Sequence, residues 1–414
     1  FITTFMRLKR TLKLRILMTF IGVLGYSTVG SSMTIYYNHY LGAAITGVLL
    51  IISSVSSFFI GLYGGHLADR HGRRPILLIG STISVAGALI AVFSNSPIFQ
   101  NPWTTFVGFF LLNFGFSFES AADNAMIIDV SDESNRKYVY SLSYWIINVS
   151  ITFGAALSGW LFRDYLFELL LGLLIAQLIN GSIKYFLISE SFVPAPKAKK
   201  ERESFIQNYG VVARDKIFLL FIGAVILNKV IFGNIDFYLP VHLSDSFKTT
   251  TIFGFEIYGQ RMLTIFVMLN TLIIIFSMTF VNQLTNKWSE RKSLTTGALL
   301  QGLGFAAAFL MNSFIPLILA SIVMTIGEMI LVPSSQSLRA DLMNEEKIGT
   351  YSGFVTITDP IGSVLSGSLV SFSVYIHHTG VAVVMVVVTV LLVLCFNQVM
   401  KMKTQAEIAS SKNT

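Results

Sequence analysis

The chain has 414 residues, 53% of them hydrophobic and only 12% charged, with 35 Phe and a formal net charge of +7. A soluble domain carries about twice that charged fraction, so the composition excludes a water-soluble globular protein. The single cysteine, Cys395, excludes an intrachain disulfide and a cysteine metal centre; it lies in the last apolar segment and reads as packed in the membrane.

The N-terminal stretch "MRLKRTLKLR" runs straight into a long apolar segment rather than a short signal-peptide core. Apolar runs of the length that crosses a bilayer, about 20 residues, follow near 14–37, 44–67, 75–94, 103–128, 138–162 and 166–189. A long polar stretch, "SESFVPAPKAKKERESFIQNYGVVARDK", then interrupts the pattern. A second set lies near 217–240, 257–282, 294–313, 316–337, 350–374 and 379–400. Rich in Leu, Ile, Val and Phe with interspersed Gly, these runs predict an all-α membrane protein of twelve transmembrane helices. The predicted organisation is two pseudo-symmetric six-helix bundles, 1–189 and 217–414, joined by a cytoplasmic linker over 190–216.

Basic residues set the orientation. With both termini cytoplasmic, Lys and Arg fall on the inner side except Arg163, Lys248 and Arg261, outside or near it, and Lys184 and Lys229, within spans. The same placement argues against nucleic acid as a partner, because the charge marks loops rather than one binding face. Lys184, near the inner end of span six, reads as a snorkelling anchor.

The halves repeat weakly. "GHLADRHGRR" (65–74) follows span two and "NQLTNKWSERK" (282–292) follows span eight; "DVSDESNRKYVYS" (129–141) follows span four and "DLMNEEKIGTYS" (341–352) follows span ten. In the first of these, Gly65 and Gly72 permit a tight turn. Asp69 is placed to accept from a helix N-terminus, and Arg73 can form a bidentate pair with a carboxylate, Asp129 being the natural partner.

Gly65-x-Leu67-Ala68-Asp69-Arg70-x-Gly72-Arg73-Arg74 resembles the signature between helices two and three of the major facilitator superfamily. "SSMTIYYNHYLGAAITG", "NAMIID", "PVHLSDSFKT", "GFEIYGQRMLTI" and "ADLMNEEKIG" resemble LmrP-type proton-coupled multidrug antiporters of Gram-positive bacteria. The resemblance implies a multi-pass protein of the bacterial cell membrane. It also implies a conformational latch of Gly65, Asp69, Gly72, Arg73 and Asp129 at the cytoplasmic face, and a central cavity lined by spans one, four, seven and ten. Asp236 and Glu328 match family carboxylates linked to proton coupling and cation recognition. A third family carboxylate, on span five, is Ser143 here.

Charges in the membrane are the other candidates, because each costs roughly 2.5–3.5 kcal/mol at the bilayer centre on insertion scales. Glu119 and Asp123, four apart in span four, share a helix face. Lys229 and Asp236, seven apart, do the same in span seven, with Glu328 in span ten and Asp359 before Pro360 in span eleven. Five such acids cannot all stay ionised in a dry interior, so Asp236, Glu328, Glu119 and Asp123 are candidates for proton coupling. Lys229 is either a substrate contact or a salt-bridge partner of Asp236 or Glu119, and Asp359 either a functional acid or a cap at a Pro360 kink. Substrate contacts are expected from Glu328, Glu119, Asp123, Lys229, Asp236, Tyr36, Tyr144, Trp145 and Asn148, where ring faces can attract a cation.

No nucleotide loop, metal cluster or catalytic nucleophile is evident, and the six His lie scattered in or beside loops. Neither enzymatic activity nor a cofactor or bound metal is expected. The reading is a monomeric secondary transporter in contact with membrane lipids, exchanging protons for a cationic or zwitterionic small molecule. The alternatives are a proton-coupled uptake symporter for a polar nutrient and a non-transporting receptor.

Overall fold

The computed structural model describes residues 9–30, 32–130, 133–191, 212–285, 287–343, 351 and 354–411. The chain divides into two compact units, residues 1–45 with 52–197, and residues 46–51 with 198–414.

In the first unit the helices are α1 (Arg10–Ser27), α2 (Ser32–Leu41), α3 (Ala43–His71), α4 (Arg73–Phe93), α5 (Pro102–Val130), α6 (Glu133–Leu161) and α7 (Leu166–Leu187). The first predicted span is thus broken between α1 and α2, where Thr28 turns its hydroxyl back onto the Gly25 carbonyl at 2.7 Å. The start of α5 is written locally: Asn101 Oδ1 accepts from the N–H groups of Trp103 and Thr104 at 2.9 and 3.1 Å. Pro102 then occupies the first helical position, where its missing N–H costs nothing.

The second unit contains α8 (Lys216–Gly233), α9 (Tyr238–Ser246), a hairpin of β1 (Thr250–Ile252) and β2 (Phe255–Ile257), then α10 (Gly259–Thr285), α11 (Glu290–Leu310), α12 (Phe314–Leu342) and α13 (Thr358–Ser411). Asp215 caps α8 by accepting from Phe218 N–H at 3.0 Å. Its other oxygen accepts from the Tyr351 hydroxyl at 3.0 Å. The hairpin, unforeseen in an all-α reading, pairs Thr250 with Ile257 and Ile252 with Phe255. It turns on Phe253 and Gly254, both at positive φ, as a two-residue antiparallel connection requires. α13 is two helices joined at His377 (φ 58, ψ 177).

Among the described residues, nine stretches are long and apolar enough to cross a membrane. One of them, Thr358–Ile408, has 51 residues, length enough for two crossings. Exposed Phe59, Phe186, Phe276 and Phe372 fit a surface that faces hydrocarbon.

Each unit carries a seam of small residues between its third and fourth spans. A methyl group on Gly80 would lie 2.8 Å from the Gly115 carbonyl, and one on Gly108 would lie 2.7 Å from Ala91 N. In the second unit, Gly297 and Gly304 press likewise on Leu331 and Met324 of α12, at 2.7 Å each. Such approach of backbones is how helices gain packing where lipid offers no hydrophobic drive. The internal repeat, faint in sequence, therefore reappears as one packing device used twice.

Candidate functional site

The first unit holds one buried ion pair and one half-buried one. Glu119 Oε1 on α5 accepts from Lys184 Nζ on α7 at 2.6 Å, with side chains only 10% and 8% exposed. One turn along α5, Asp123 Oδ2 meets Arg15 Nη2 of α1 at 2.5 Å, and Arg15 is 4% exposed. The reading of Lys184 as a snorkelling anchor is therefore corrected. Residues 177, 180 and 184 lie on one face of α7, and there Asn180 Nδ2 donates to the Met18 carbonyl of α1 at 3.1 Å. That face looks inward, so the ammonium meets a carboxylate before it can reach water. Arg15 had been counted only as an orientation charge; its one sequence signal is its place inside the apolar run of span one.

Both acids of span four thus carry a basic partner. The network still contains unspent polarity: Glu119 Oε2, Arg15 Nε and Arg15 Nη1 are buried without hydrogen-bond partners among the described residues.

The second unit is arranged differently. Lys229 Nζ of α8 pairs with Asp359 Oδ1 of α13 at 2.5 Å, the side chains being 48% and 62% exposed, rather than with Asp236 or Glu119. Asp359 stands in the first turn of α13, where an acid suits the helix N-terminus, so Pro360 starts a helix instead of kinking one. Asp236 is exposed in the interruption between α8 and α9, its N–H bound to the Gly233 carbonyl at 3.0 Å. Asn234 makes that interruption by turning Nδ2 onto the Val230 carbonyl at 2.5 Å.

Glu328 lies half-buried in α12. Its Oε2 accepts from Asn270 Nδ2 of α10 at 2.8 Å, and the same nitrogen reaches Thr325 Oγ1 at 3.1 Å. Among the described residues no Lys, Arg or His stands within ion-pair distance of Glu328. Asn270 was missed in the sequence, where a lone Asn in "VMLNTLIII" gives no sign of its partner.

Of the expected latch, Gly72 forms the turn with φ 100, whereas Gly65 lies inside α3. The expectation of a turn at Gly65 is corrected: α3 runs unbroken to His71, and only the left-handed residue ends it. The backbone N–H groups of Arg73 and Arg74 donate to Glu190 Oε1 and Oε2, each at 3.0 Å. Arg74 also donates to the Ile188 and Tyr185 carbonyls at 2.9 and 2.8 Å. An anion thus caps the start of α4 while a cation caps the end of α7, each on the favoured side of a helix dipole. Arg73 Nη1 donates to the Ala68 carbonyl at 3.0 Å. The side chains of Asp69 and Asp129 lie outside the described residues, as do those of Tyr144 and Trp145. At the repeat position in the second unit, Ser289 caps α11 locally through Lys292 N–H at 3.3 Å.

Gly72→Ala should lower stability by about 1–3 kcal/mol, the cost of a side chain in strained backbone. The added carbon would also sit 2.7 Å from Glu190 Oε2. Thermal unfolding in detergent micelles measures this, and an unchanged midpoint would count against the cap.

Tyr36 is 7% exposed, and its hydroxyl lies 3.3 Å from Thr105 Oγ1, which places it in the packed interior of the first unit. Asn148 is half-buried in α6. Among the described residues no three His, Cys, Asp or Glu side chains gather as a metal site.

The chain matches the Major Facilitator Superfamily over residues 16–367 and again over 259–401. It is 29% identical over 373 residues to a Na(+), Li(+), K(+)/H(+) antiporter of Planococcus maritimus, covering 86% of this chain and 88% of the relative. It is 24% identical over 357 residues to the multidrug resistance protein MdtH of Cronobacter sakazakii, with 83% and 81% covered. Among solved structures, the POT family transporter PepTSo superposes with a TM-score of 0.76 at 14% identity, over 96% of this chain and 98% of that one. A POT family transporter in complex with 5-aminolevulinic acid gives 0.73 at 16% identity, over 94% and 96%. Two units of packed apolar helices, a glycine turn after α3 and a family match running through both units lead to one conclusion: the chain is a membrane transporter, not an enzyme, and belongs to the Major Facilitator Superfamily.

Proposed function

We propose that this protein is a proton-coupled antiporter of the bacterial cell membrane, with both termini cytoplasmic, that exports cationic or zwitterionic small molecules. The observation that carries the reading is Glu328. The span-four acids each have a basic partner, but among the described residues this carboxylate meets no cation and accepts from the neutral amide of Asn270. A lone carboxylate at membrane depth is costly while ionised and uncompensated. It is relieved either by a proton or by a cation, and the two exclude one another at one oxygen pair.

That exclusion is exchange. Outside, a proton occupies Glu328 and expels the cation; inside, where protons are scarcer, the cation takes its place. Asn270 keeps the carboxylate aimed in both states, because an amide N–H can donate to the ionised or the protonated form. One proton for one monovalent cation moves no net charge, so the pH gradient alone drives it, at about 1.4 kcal/mol per pH unit. Drawing on the membrane potential, worth about 2.3 kcal/mol per charge per 100 mV, needs a second proton, for which Asp236 is the candidate. The name of one relative, a Na(+), Li(+), K(+)/H(+) antiporter, supports a cation as cargo, and that of the other, a multidrug resistance protein, supports export of a small molecule.

Acid-loaded proteoliposomes containing a pH dye test this. Adding Na+, K+ or a tetraphenylphosphonium salt outside should release internal protons in proportion to the cargo accumulated. Cargo and protons moving in the same direction would make the protein a symporter. Binding without flux would make it a receptor.

A further inference from the structure

The six His look scattered in the sequence, yet the fold brings two of them together. His242 of α9 is 3% exposed, and its Nε2 lies 2.8 Å from the Met311 carbonyl. A carbonyl only accepts, so Nε2 carries the ring proton and Nδ1 is a bare lone pair. That Nδ1 is buried and has no hydrogen-bond partner among the described residues. The rings of Tyr238, Phe309 and His378 pack against the His242 ring, with centroid-to-centroid distances of 6.0, 6.3 and 6.0 Å. His378 is exposed and stands one residue beyond the left-handed His377 that breaks α13.

A buried acceptor without a donor is costly. Neutral His378 can present its single N–H elsewhere, but an imidazolium carries a donor on both nitrogens. We propose that His242 and His378 form a proton-binding site on the outer face, distinct from the carboxylates of the membrane helices. Water delivers a proton to the free ring nitrogen of His378, and the resulting N–H donates to His242 Nδ1. The Nε2–H of His242 continues to hold Met311, and no covalent bond other than that N–H changes. The outward placement of this end rests on the orientation given under the proposed function.

The surroundings suit one shared proton. From the same helix, Tyr238 faces His242 and itself feels the charge of Asp245. From the end of α11 come the Ala308 and Met311 carbonyls, at the helix terminus whose dipole favours a cation. From α13 comes His378, with His377 beside it. The neighbouring turn is tied to the start of the hairpin by Lys248 N–H donating to the Asn312 carbonyl at 2.8 Å. Protonation therefore staples α9, the end of α11 and the second helix of α13 together. The staple closes when external acid supplies that proton and opens when alkali removes it.

Hydrogen exchange on the purified full chain, at about pH 6 and about pH 8 with intrinsic rates corrected, tests the staple. Peptides covering 238–247 and 308–313 should exchange at least about threefold more slowly at the lower pH, as a local opening free energy of that size requires. His378→Phe should exchange fast at both pH values, and His378→Gln, which supplies a neutral N–H, should stay slow at both. A pH-independent wild type, or a pH response surviving in His378→Phe, overturns the proposal. The same outcome in a Glu328→Gln chain keeps the result separate from the transport reading.

Discussion

Glu328→Gln should abolish proton-driven exchange while leaving the protein folded and inserted. The Gln carbonyl still accepts from Asn270 Nδ2, which donates to the native side chain at 2.8 Å, so α10 and α12 keep their hydrogen bond. What disappears is the ability to carry either a proton or a compensating charge. Loss on the order of 100-fold or more in the initial flux is expected, the usual worth of a positioned proton-transfer group. Glu328→Asp should retain partial flux, because the titratable group survives at a shorter reach. The measurement is dye-reported proton release from acid-loaded proteoliposomes, normalised to protein incorporated. Undiminished flux in Glu328→Gln would remove Glu328 from the coupling path and shift attention to Asp236.

Lys184→Met should destabilise the protein by about 3–5 kcal/mol, because it leaves Glu119 buried without its cation. Glu119 is held by Lys184 at 2.6 Å and its second oxygen has no partner among the described residues, so the environment offers little relief. The double variant Glu119→Gln, Lys184→Met removes both charges and should recover most of the lost stability, as replacing a whole buried pair commonly does. Thermal unfolding in detergent reads both variants. Flux through the double variant then separates the roles open to Glu119. A folded, fully active protein makes the pair structural, whereas a folded protein without proton release assigns Glu119 to coupling. Equal stability of Lys184→Met and wild type would mean that the pair contributes nothing to folding.

The contrast between the units is the functional argument. Arg15, Asp123, Glu119 and Lys184 sum to zero charge and bind one another across three helices. Lys229 and Asp359 cancel in the second unit, whereas among the described residues no basic side chain stands within ion-pair distance of Glu328. Counting acids along the chain overstated how many stand uncompensated, because the cations that offset them lie far away in sequence.

Hydropathy, the placement of Lys and Arg, the glycine turn at 72 and the carboxylates at 119, 123, 236 and 328 were legible from the chain alone. Each rests on local composition: a bilayer imposes its thickness on every span, and an acid in an apolar run is conspicuous wherever it folds. Which charge meets which was not legible. Lys184 lies 65 residues from Glu119, Asn270 lies 58 from Glu328, and His242 lies 69 from Met311. Such pairs form only when helix faces pack at a particular rotation, and that rotation is chosen by small-residue seams such as Gly80 against Gly115. Sequence determined that this chain crosses a membrane in two related halves and carries acid within it; packing alone decided which acids meet a basic side chain and which, like Glu328, meet an amide.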